Sequence, residues 1–234
     1  MSKMLFCLRT FMKLLAFFHK RSIKQLIIII PMKIICVGRN YVAHAEELNN
    51  EVPSKPVIFL KPDTSVLKNN ADFYFPPFSK EIHHEVELIV RICKEGKYIA
   101  EKFAGNYFDK IGLGIDFTAR DIQQQHKEKG LPWELAKAFD HAAPISELVD
   151  KAEFPKPDDL HFHLEKNGKQ VQVGHTALMI FSIEQLIAFV SQYITLRKGD
   201  ILFTGTPAGV GPIQVGDSLT GFLEGKKLLD FHIK

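Results

Sequence analysis

Acidic residues are absent from the first 31 positions of this 234-residue chain, although six lysines and arginines fall there. The whole chain has a net charge of +3, but residues 32–234, the body of the chain, have a net charge of −3 once those six residues are left out. A protein that binds nucleic acid needs a concentrated basic face. The charge distribution predicts no such face in the body, and we expect no nucleic-acid partner.

The leader at 1–31 also lacks the marks of a signal peptide, because its apolar run is broken and no small-residue cleavage pattern follows. The interruptions fall at Arg9, Lys13 and His19. They also argue against a membrane span. A basic, acid-free segment is still compatible with a transit peptide or a membrane-surface helix. We favour a dispensable extension, because Met32 opens the core-like stretch MKIICVGRNY, and we assign 32–234 to one globular domain.

Cysteine is also scarce, with three residues in the chain and no C-x-x-C pair. Because disulfide frameworks need paired cysteines, this usage predicts a reducing compartment, and we expect a cytoplasmic protein. The chain is 46% hydrophobic and 24% charged, without low-complexity bias. These values predict a globular domain with a sizeable core.

Short strands dominate the apolar pattern of the body, and helices do not alternate with them regularly. Strands are predicted at KIICVG, PVIFLKP, VELIVRI and IGLGIDFT, with a short helix at NYVAHAEELNN. Asn167 and Gly168 predict a hairpin turn within HFHLEKNGKQVQV. Ser182 and Gln185 form a capping-box pattern at the start of the best helix, SIEQLIAFVSQYI. The pattern indicates a mixed, mainly β fold with a few short helices.

Two carboxylates share one face of a predicted strand in EIHHEVELIVRI, because Glu85 and Glu87 are two residues apart. Asp116 follows a second apolar, glycine-rich run. Like charges this close repel each other unless a cation lies between them. Three carboxylates are hard oxygen ligands that suit Mg²⁺ or Mn²⁺. Taken alone, a glutamate pair on a strand more often faces solvent, so the pair carries weight only together with Asp116 and the residues below.

Further polar residues fit chemistry beside such a cation. His44 and Glu47 are three apart on the short helix, so the carboxylate can fix the imidazole's tautomer for deprotonation of a water. Gln123 and Lys137 offer a hydrogen bond and a positive charge to an anionic substrate. The loop in LFTGTPAGVG, with Thr206, offers amides to a carboxylate, although each of these features also occurs as ordinary surface or turn structure.

In order along the chain, these segments resemble the fumarylacetoacetate hydrolase family, in particular its branch of small acylpyruvate hydrolases and oxaloacetate decarboxylases. The segments are GRNYVAHAEEL, KPVIFLKP, HHEVELIV, GIDFTARDIQ, GLPWELAKAFD, FTGTPAGVGP and VGDSLTGFLEG. The resemblance covers residues 33 to 234 and implies a β-sandwich roll that assembles as a homodimer. It implies metal ligation by Glu85, Glu87 and Asp116, catalysis by His44, Glu47 and Lys137, and substrate binding or support by Arg120, Gln123, Gly205 and Thr206.

The activity that this resemblance implies is a Mg²⁺- or Mn²⁺-dependent hydrolysis. The enzyme would cleave the C–C bond of an acylpyruvate or related diketo acid to pyruvate and a carboxylic acid. An oxaloacetate decarboxylase or a 2-hydroxymuconate-type isomerase on the same scaffold is the alternative. A non-enzymatic metal- or ligand-binding dimer is a third interpretation. The His44–Glu47 pair argues against it, because binding alone does not require a water-activating base.

A chain that starts at Met32 should fold and turn over substrate like the full chain, because every motif above lies downstream of the leader. Thermal melting and turnover of the two chains provide the comparison. An insoluble or inactive shorter chain would show that the leader belongs to the domain.

Overall fold

The computed structural model of the protein describes residues 32–48 and 50–234, and the leader assigned to 1–31 lies outside these residues. The strands are β1 (Ile34–Gly38), β2 (Val57–Lys61), β3 (Val66–Leu67), β4 (Ile82–His84), β5 (Val86–Ile92), β6 (Phe108–Ile115), β7 (Thr118–Ala119), β8 (Ala143–Pro144), β9 (Val149–Asp150), β10 (His161–Lys166), β11 (Lys169–His175), β12 (Ile201–Phe203), β13 (Gly211–Pro212), β14 (Ser218–Leu223) and β15 (Lys226–His232). The helices are α1 (Val42–Glu47), α2 (Glu101–Ala104), α3 (Arg120–Lys129), α4 (Glu134–Lys137) and α5 (Ile183–Tyr193). The predicted mixed, mainly β fold with a few short helices is confirmed.

The largest sheet has six strands in the order β2-β1-β12-β5-β6-β9. Its strand β5 is buried along almost its whole length, because both faces of the sheet are covered. Leu88 and Val90 contribute to the larger hydrophobic core, and Ile89 packs on the opposite face with Ile34 and Phe203. Strands covered on both faces are nearly continuous apolar runs. The run VELIVRI therefore contains a single glutamate, Glu87, which is the second residue of the strand.

A second sheet, β11-β10-β14-β15, is antiparallel throughout. The predicted hairpin joins β10 to β11, and its two turn residues, Asn167 and Gly168, both have positive φ angles, 54° and 72°. This geometry is the reason why Asn-Gly favours the turn. The edge strand β11 carries Gln172, a buried side chain that reaches toward the first sheet.

The expected continuous strand through 81–92 is wrong in one respect. Glu85 falls between β4 and β5, which belong to different sheets: β4 pairs with β13 and β7, and β5 pairs with β12 and β6. Gln172 Oε1 accepts the Val86 amide at 3.0 Å and lies 2.9 Å from His84 Nδ1, so a side chain holds both flanks of the break. The chain changes sheets at the first carboxylate.

The helices are short and serve to position single residues. Helix α5 has the predicted capping box, in which the Ser182 hydroxyl accepts the Gln185 amide and the Gln185 side chain accepts the Ser182 amide. Gly130, with a φ of 63°, ends α3 in the left-handed conformation that glycine adopts without strain. Within the described residues, no helix is long and apolar enough to cross a membrane.

Candidate active site and metal centre

Three buried carboxylates lie together where two strands of the six-stranded sheet end. Glu85 precedes β5, Glu87 lies within it, and Asp116 follows β6. The antiparallel register brings them together, because the Asp116 amide donates to the Glu85 carbonyl oxygen at 2.8 Å. One carboxylate oxygen from each lies within 4.8 Å of the others, and only 1% of Glu87 and of Asp116 is exposed. The structure therefore brings the three predicted metal ligands together.

Cationic side chains neutralise part of this cluster. Lys137 uses all three of its ammonium protons: Nζ donates to Glu85 Oε2 at 2.8 Å, to Asp116 Oδ2 at 2.7 Å and to Thr118 Oγ1 at 2.6 Å. Arg120 donates to the other oxygen of Glu85. Burial alone would raise the pKa of Glu85, but Lys137 and Arg120 outweigh it and hold that pKa well below its ordinary value. In this arrangement Lys137 holds carboxylates together, and its role in stabilising an oxyanion stays a prediction.

Lys61 is a buried cation of the candidate site that the sequence motifs did not single out. It is 2% exposed, and its Nζ lies 2.8 Å from Asp116 Oδ1 and 3.0 Å from the Ala142 carbonyl oxygen, which accepts a hydrogen bond from it. A signal was present, since strand alternation in PVIFLKP puts Lys61 on the face of Val57 and Phe59. A lysine that points inward needs an anion beside it.

Glu87 is the carboxylate without a cationic partner among the described residues. Its Oε2 accepts the Gly205 amide at 2.6 Å. Burial, reinforced by repulsion from Asp116, raises the pKa of Glu87. Asp116 Oδ1 receives no aligned hydrogen bond from the described residues, although Lys61 lies close by. An all-oxygen cluster in which Glu87 has no cation beside it and Asp116 Oδ1 has no hydrogen bond fits a hard divalent cation of the Mg²⁺ or Mn²⁺ type.

His44 and Glu47 lie side by side on α1, as their spacing predicted. Nδ1 of His44 is 3.3 Å from Glu47 Oε2, and the Gly209 amide donates to both oxygens of Glu47 at 3.0 and 3.2 Å. Because an ionised carboxylate only accepts, Nδ1 is the protonated nitrogen and Nε2 is free to take a proton. Burial lowers the pKa of His44, against the opposing charges of Glu85 and Glu47, and so favours the neutral ring.

The Thr-Gly-Thr-Pro loop after β12 lies against the carboxylates. The Thr206 hydroxyl donates to the Val86 carbonyl oxygen at 2.8 Å. Gly205 has a φ of 102°, and a Cβ there would lie 2.6 Å from the Cβ of Asn40, so the loop requires glycine. Both residues were predicted to hold a substrate carboxylate. In the structure the Gly205 amide and the Thr206 hydroxyl contact protein atoms, and the substrate role stays a prediction.

One cavity of about 40 Å³ collects most of the predicted residues. Eight of the ten line it: His44, Glu85, Glu87, Asp116, Arg120, Gln123, Lys137 and Thr206. The other two, Glu47 and Gly205, hydrogen-bond to lining residues. Arg120 Nη1 donates to Gln123 Oε1 at 2.7 Å, which orients that amide. A larger, mainly apolar cavity of about 780 Å³ adjoins it and shares Phe59, Trp133 and Lys137.

Residues 33–232 match the fumarylacetoacetate (FAA) hydrolase C-terminal family. The mouse (Mus musculus) protein named oxaloacetate tautomerase FAHD1, mitochondrial, is 44% identical over 86% of this chain and 91% of its own length. The structure of fumarylpyruvate hydrolase from Pseudomonas aeruginosa, in complex with Mn²⁺ and pyruvate, is 33% identical with a TM-score of 0.82, over 86% of this chain and 88% of that one. The structure of 5-carboxymethyl-2-hydroxymuconate delta-isomerase from Mycobacterium smegmatis is 35% identical with a TM-score of 0.75, over 86% and 78%.

The chain therefore belongs to the fumarylacetoacetate hydrolase family, as the motifs predicted. The family consists of enzymes whose named activities include hydrolysis and isomerisation. The agreement with these structures also confirms the family's fold for the matched part of the chain.

Mg²⁺ or Mn²⁺ should raise the melting temperature of the protein, and EDTA should lower it, because a cation would relieve the unbalanced charge of Glu87. At a cation concentration about 100 times Kd, the gain is about 2.7 kcal/mol, or about 5–10 °C for a domain of this size. Glu87→Gln is the matched control: its amide oxygen can still accept the Gly205 amide, so the variant should fold and lose the shift. Equal shifts in both proteins would contradict the assignment of the metal centre.

Proposed function

We propose that the protein is a Mg²⁺- or Mn²⁺-dependent enzyme that acts on 2-oxo acids, that it hydrolyses the C–C bond of an acylpyruvate, and that it prefers substrates with a second carboxylate. The observation that carries the proposal is the placement of a neutral histidine base, His44, in the same cavity as Glu85, Glu87 and Asp116. The Pseudomonas aeruginosa enzyme, whose structure contains Mn²⁺ and pyruvate, supports both the metal and the product.

Glu85, Glu87 and Asp116 would hold the cation. When bound, it would supply Lewis-acid polarisation of the substrate's carboxylate and keto oxygens. Lys137, Arg120 and Lys61 hold Glu85 and Asp116 in place by the ion pairs described above. Their charges also leave the cavity able to receive an anion.

His44 Nε2 takes the proton from a water molecule while Glu47 holds Nδ1–H and so keeps the ring oriented. The water oxygen adds to the distal carbonyl carbon of the acylpyruvate. When the adjoining C–C bond breaks, its electron pair passes to the pyruvate part, which takes back a proton to give pyruvate, and the acyl part leaves as a carboxylic acid. The positive charges of Lys137 and Arg120 favour the negative charge that develops in the cavity.

Reaction on oxaloacetate is the second candidate, and the mouse relative's name, oxaloacetate tautomerase, is the observation that favours it. Tautomerisation needs one base to move a proton between C3 and the keto oxygen, and His44 Nε2 suits that transfer. An isomerase of the 2-hydroxymuconate type needs the same proton transfer, as the Mycobacterium smegmatis relative's name suggests. Decarboxylation of oxaloacetate needs no base, because the electron pair of the broken C–C bond stays on C3 when CO₂ leaves.

The charges around the cavity favour a substrate with two carboxylates. Arg39 and Lys127 line it but form no ion pair within the described residues, whereas the other lining cations are paired with carboxylates. Burial of its ammonium lowers the pKa of Lys127, and the nearby positive charges of Arg120 and Arg39 lower it further. The residue as a whole is nevertheless exposed. Arg39 has a φ of 61°, a conformation that costs energy in a residue other than glycine and often marks a functional site.

The size of the cavity fits a small acid. At about 10–15 Å³ for each water centre, 40 Å³ accommodates about three waters. Three waters displace about 90 Å³ of liquid, which is roughly the size of a four-carbon dicarboxylic acid. A longer acyl group would extend past Phe59 and Trp133 into the adjoining apolar cavity.

We also propose that the protein is a homodimer. Strand β2 lies at the edge of the six-stranded sheet, and Leu60 on it is 42% exposed beside Tyr193, which lines the same apolar cavity. An exposed strand edge with apolar side chains is suited to a second copy of the chain. Light scattering coupled to gel filtration gives the mass, and a monomer at micromolar concentration would contradict this proposal.

The proposed compartment is the cytoplasm, because Cys36 and Cys93 are both free thiols. The name of the mouse relative places that protein in mitochondria, and the basic leader makes a mitochondrial address the alternative. Comparing the cellular location of the full chain with that of the chain starting at Met32 separates the two.

Replacement of the proposed base, His44, should slow the two candidate reactions to different extents. His44→Ala should reduce acylpyruvate hydrolysis by roughly 10² to 10⁴, the usual contribution of a positioned general base, and should reduce oxaloacetate decarboxylation far less. Asp116→Ala should abolish both. Steady-state rates on acetylpyruvate and oxaloacetate with Mg²⁺ provide the measurement. If His44→Ala left hydrolysis intact, or depressed both reactions equally, the histidine would not be a hydrolytic base.

Arg39 and Lys127 should matter only for substrates with a second carboxylate. Arg39→Gln and Lys127→Gln should each lower kcat/KM for fumarylpyruvate about ten- to hundredfold, the value of a charged hydrogen bond, and leave acetylpyruvate almost unchanged. Lys129→Gln is the control, since Lys129 has the same charge on the same helix but does not line the cavity. Equal losses on both substrates would rule out a carboxylate contact.

A further inference from the structure

A second cluster of metal-binding side chains lies outside the candidate active site, at the end of the β10–β11 hairpin away from its turn. It consists of Asp159, His161 and His175, and one ligand atom from each lies within 4.8 Å of the others. None of the three lines the catalytic cavity. The family-level motifs do not include them, and the proposed reaction has no use for them.

The sheet places the two histidines together. His161 begins β10 and His175 ends β11, and the antiparallel register pairs them directly across the two strands. Their rings stack with centroids 4.0 Å apart and 18° between the planes. Side chains directly opposite each other on one face of an antiparallel pair are close enough to bind one ion.

A carboxylate completes the donor set. Asp159 lies in the segment before β10, and its Oδ1 is 2.8 Å from His175 Nε2. The backbone on both sides is pinned, because the Leu160 amide donates to Thr176 Oγ1 at 2.8 Å and the Thr176 amide donates to the Leu160 carbonyl oxygen at 2.9 Å. The three side chains therefore project from a fixed frame, which lowers the entropy lost when an ion binds.

The geometry points to a surface site for a borderline transition-metal ion of the Zn²⁺ class, held by the imidazoles of His161 and His175 and the carboxylate of Asp159. Two imidazoles and one carboxylate match the donors of three-ligand zinc sites, in which water takes the fourth position. Metal–ligand bonds of about 2.0–2.2 Å in a tetrahedron put ligand atoms about 3.4 Å apart. Asp159 Oδ1 and His175 Nε2 are 2.8 Å apart, and all three ligand atoms lie within 4.8 Å of one another, so modest side-chain rotations would bring them to this spacing.

This site differs in ion preference from the catalytic one. Three carboxylates at Glu85, Glu87 and Asp116 favour Mg²⁺ or Mn²⁺, whereas imidazole donors favour Zn²⁺, Co²⁺, Ni²⁺ or Cu²⁺. The ion would join β10, the edge strand β11 and the segment that precedes them. It would thereby stabilise an edge of the second sheet that carries Gln172, the side chain holding the break between β4 and β5.

Zinc titration of the full chain, after EDTA treatment and in excess Mg²⁺, tests the site by calorimetry. Glu87→Gln, which disables the catalytic centre, should still bind one equivalent of Zn²⁺. His161→Ala and His175→Ala should weaken that binding by about tenfold or more, as the loss of a zinc-site interaction does. With Co²⁺ as the probe, the visible absorption of a tetrahedral site should appear in Glu87→Gln and be lost in the two histidine variants.

His163→Ala is the matched control, because His163 lies on the same strand, stacks on Phe222 with centroids 4.7 Å apart and is not part of the cluster. It should bind Zn²⁺ like the unsubstituted protein. All three histidines are at least partly exposed, so metal-free melting temperatures should be alike and a folding defect would be visible there. Zinc uptake that is lost in Glu87→Gln but unchanged in His161→Ala and His175→Ala would overturn the proposal.

Discussion

The interaction on which the site depends is the packing of three carboxylates into a space from which water is almost excluded. A buried carboxylate is tolerated only with a counter-charge or hydrogen bonds. Lys137 and Arg120 satisfy Glu85, and Lys61 and Lys137 approach Asp116. Glu87 has a backbone amide and no cation within the described residues. The missing cation at Glu87 explains why the cluster suits a divalent ion, and the charge of Asp116 explains why Lys61 points inward from the edge strand β2.

The same charges connect the fold to substrate selection. Cations committed to the carboxylates cannot also bind a substrate anion with full strength, whereas Arg39 and Lys127 at the cavity wall remain uncommitted among the described residues. A second substrate carboxylate is the partner that they lack. Under the proposed function, the carboxylate cluster would act on the 2-oxo acid group, Arg39 and Lys127 would select the second carboxylate, and the adjoining apolar cavity would accommodate longer acyl groups.

Each of the two larger β-sheets fixes a different part of the candidate site. The six-stranded sheet sets the register that puts Asp116 beside Glu85. The second sheet supports it through Gln172, whose amide nitrogen donates to Thr206 Oγ1 at 2.9 Å and whose oxygen accepts the Val86 amide. A buried amide with both ends bonded fixes a loop rigidly, and its loss would leave unpaired buried groups on three segments. This dependence connects the β10–β11 hairpin with the geometry of the Thr-Gly-Thr-Pro loop.

The sequence by itself determined the mainly β fold, the Asn167-Gly168 turn, the capped helix and the grouping of the ten site residues, because these follow from local periodicity, turn chemistry and recognisable motifs. Only the tertiary structure decided what depends on long-range register. It showed the sheet change at Glu85, the three bonds that occupy Lys137, the inward Lys61 and the pairing of His161 with His175. Periodicity specifies the face on which a side chain lies. The partner that it meets is set by segments between 14 residues away, as for His161 and His175, and 55 residues away, as for Lys61 and Asp116, and the spacing within one strand does not record that partner.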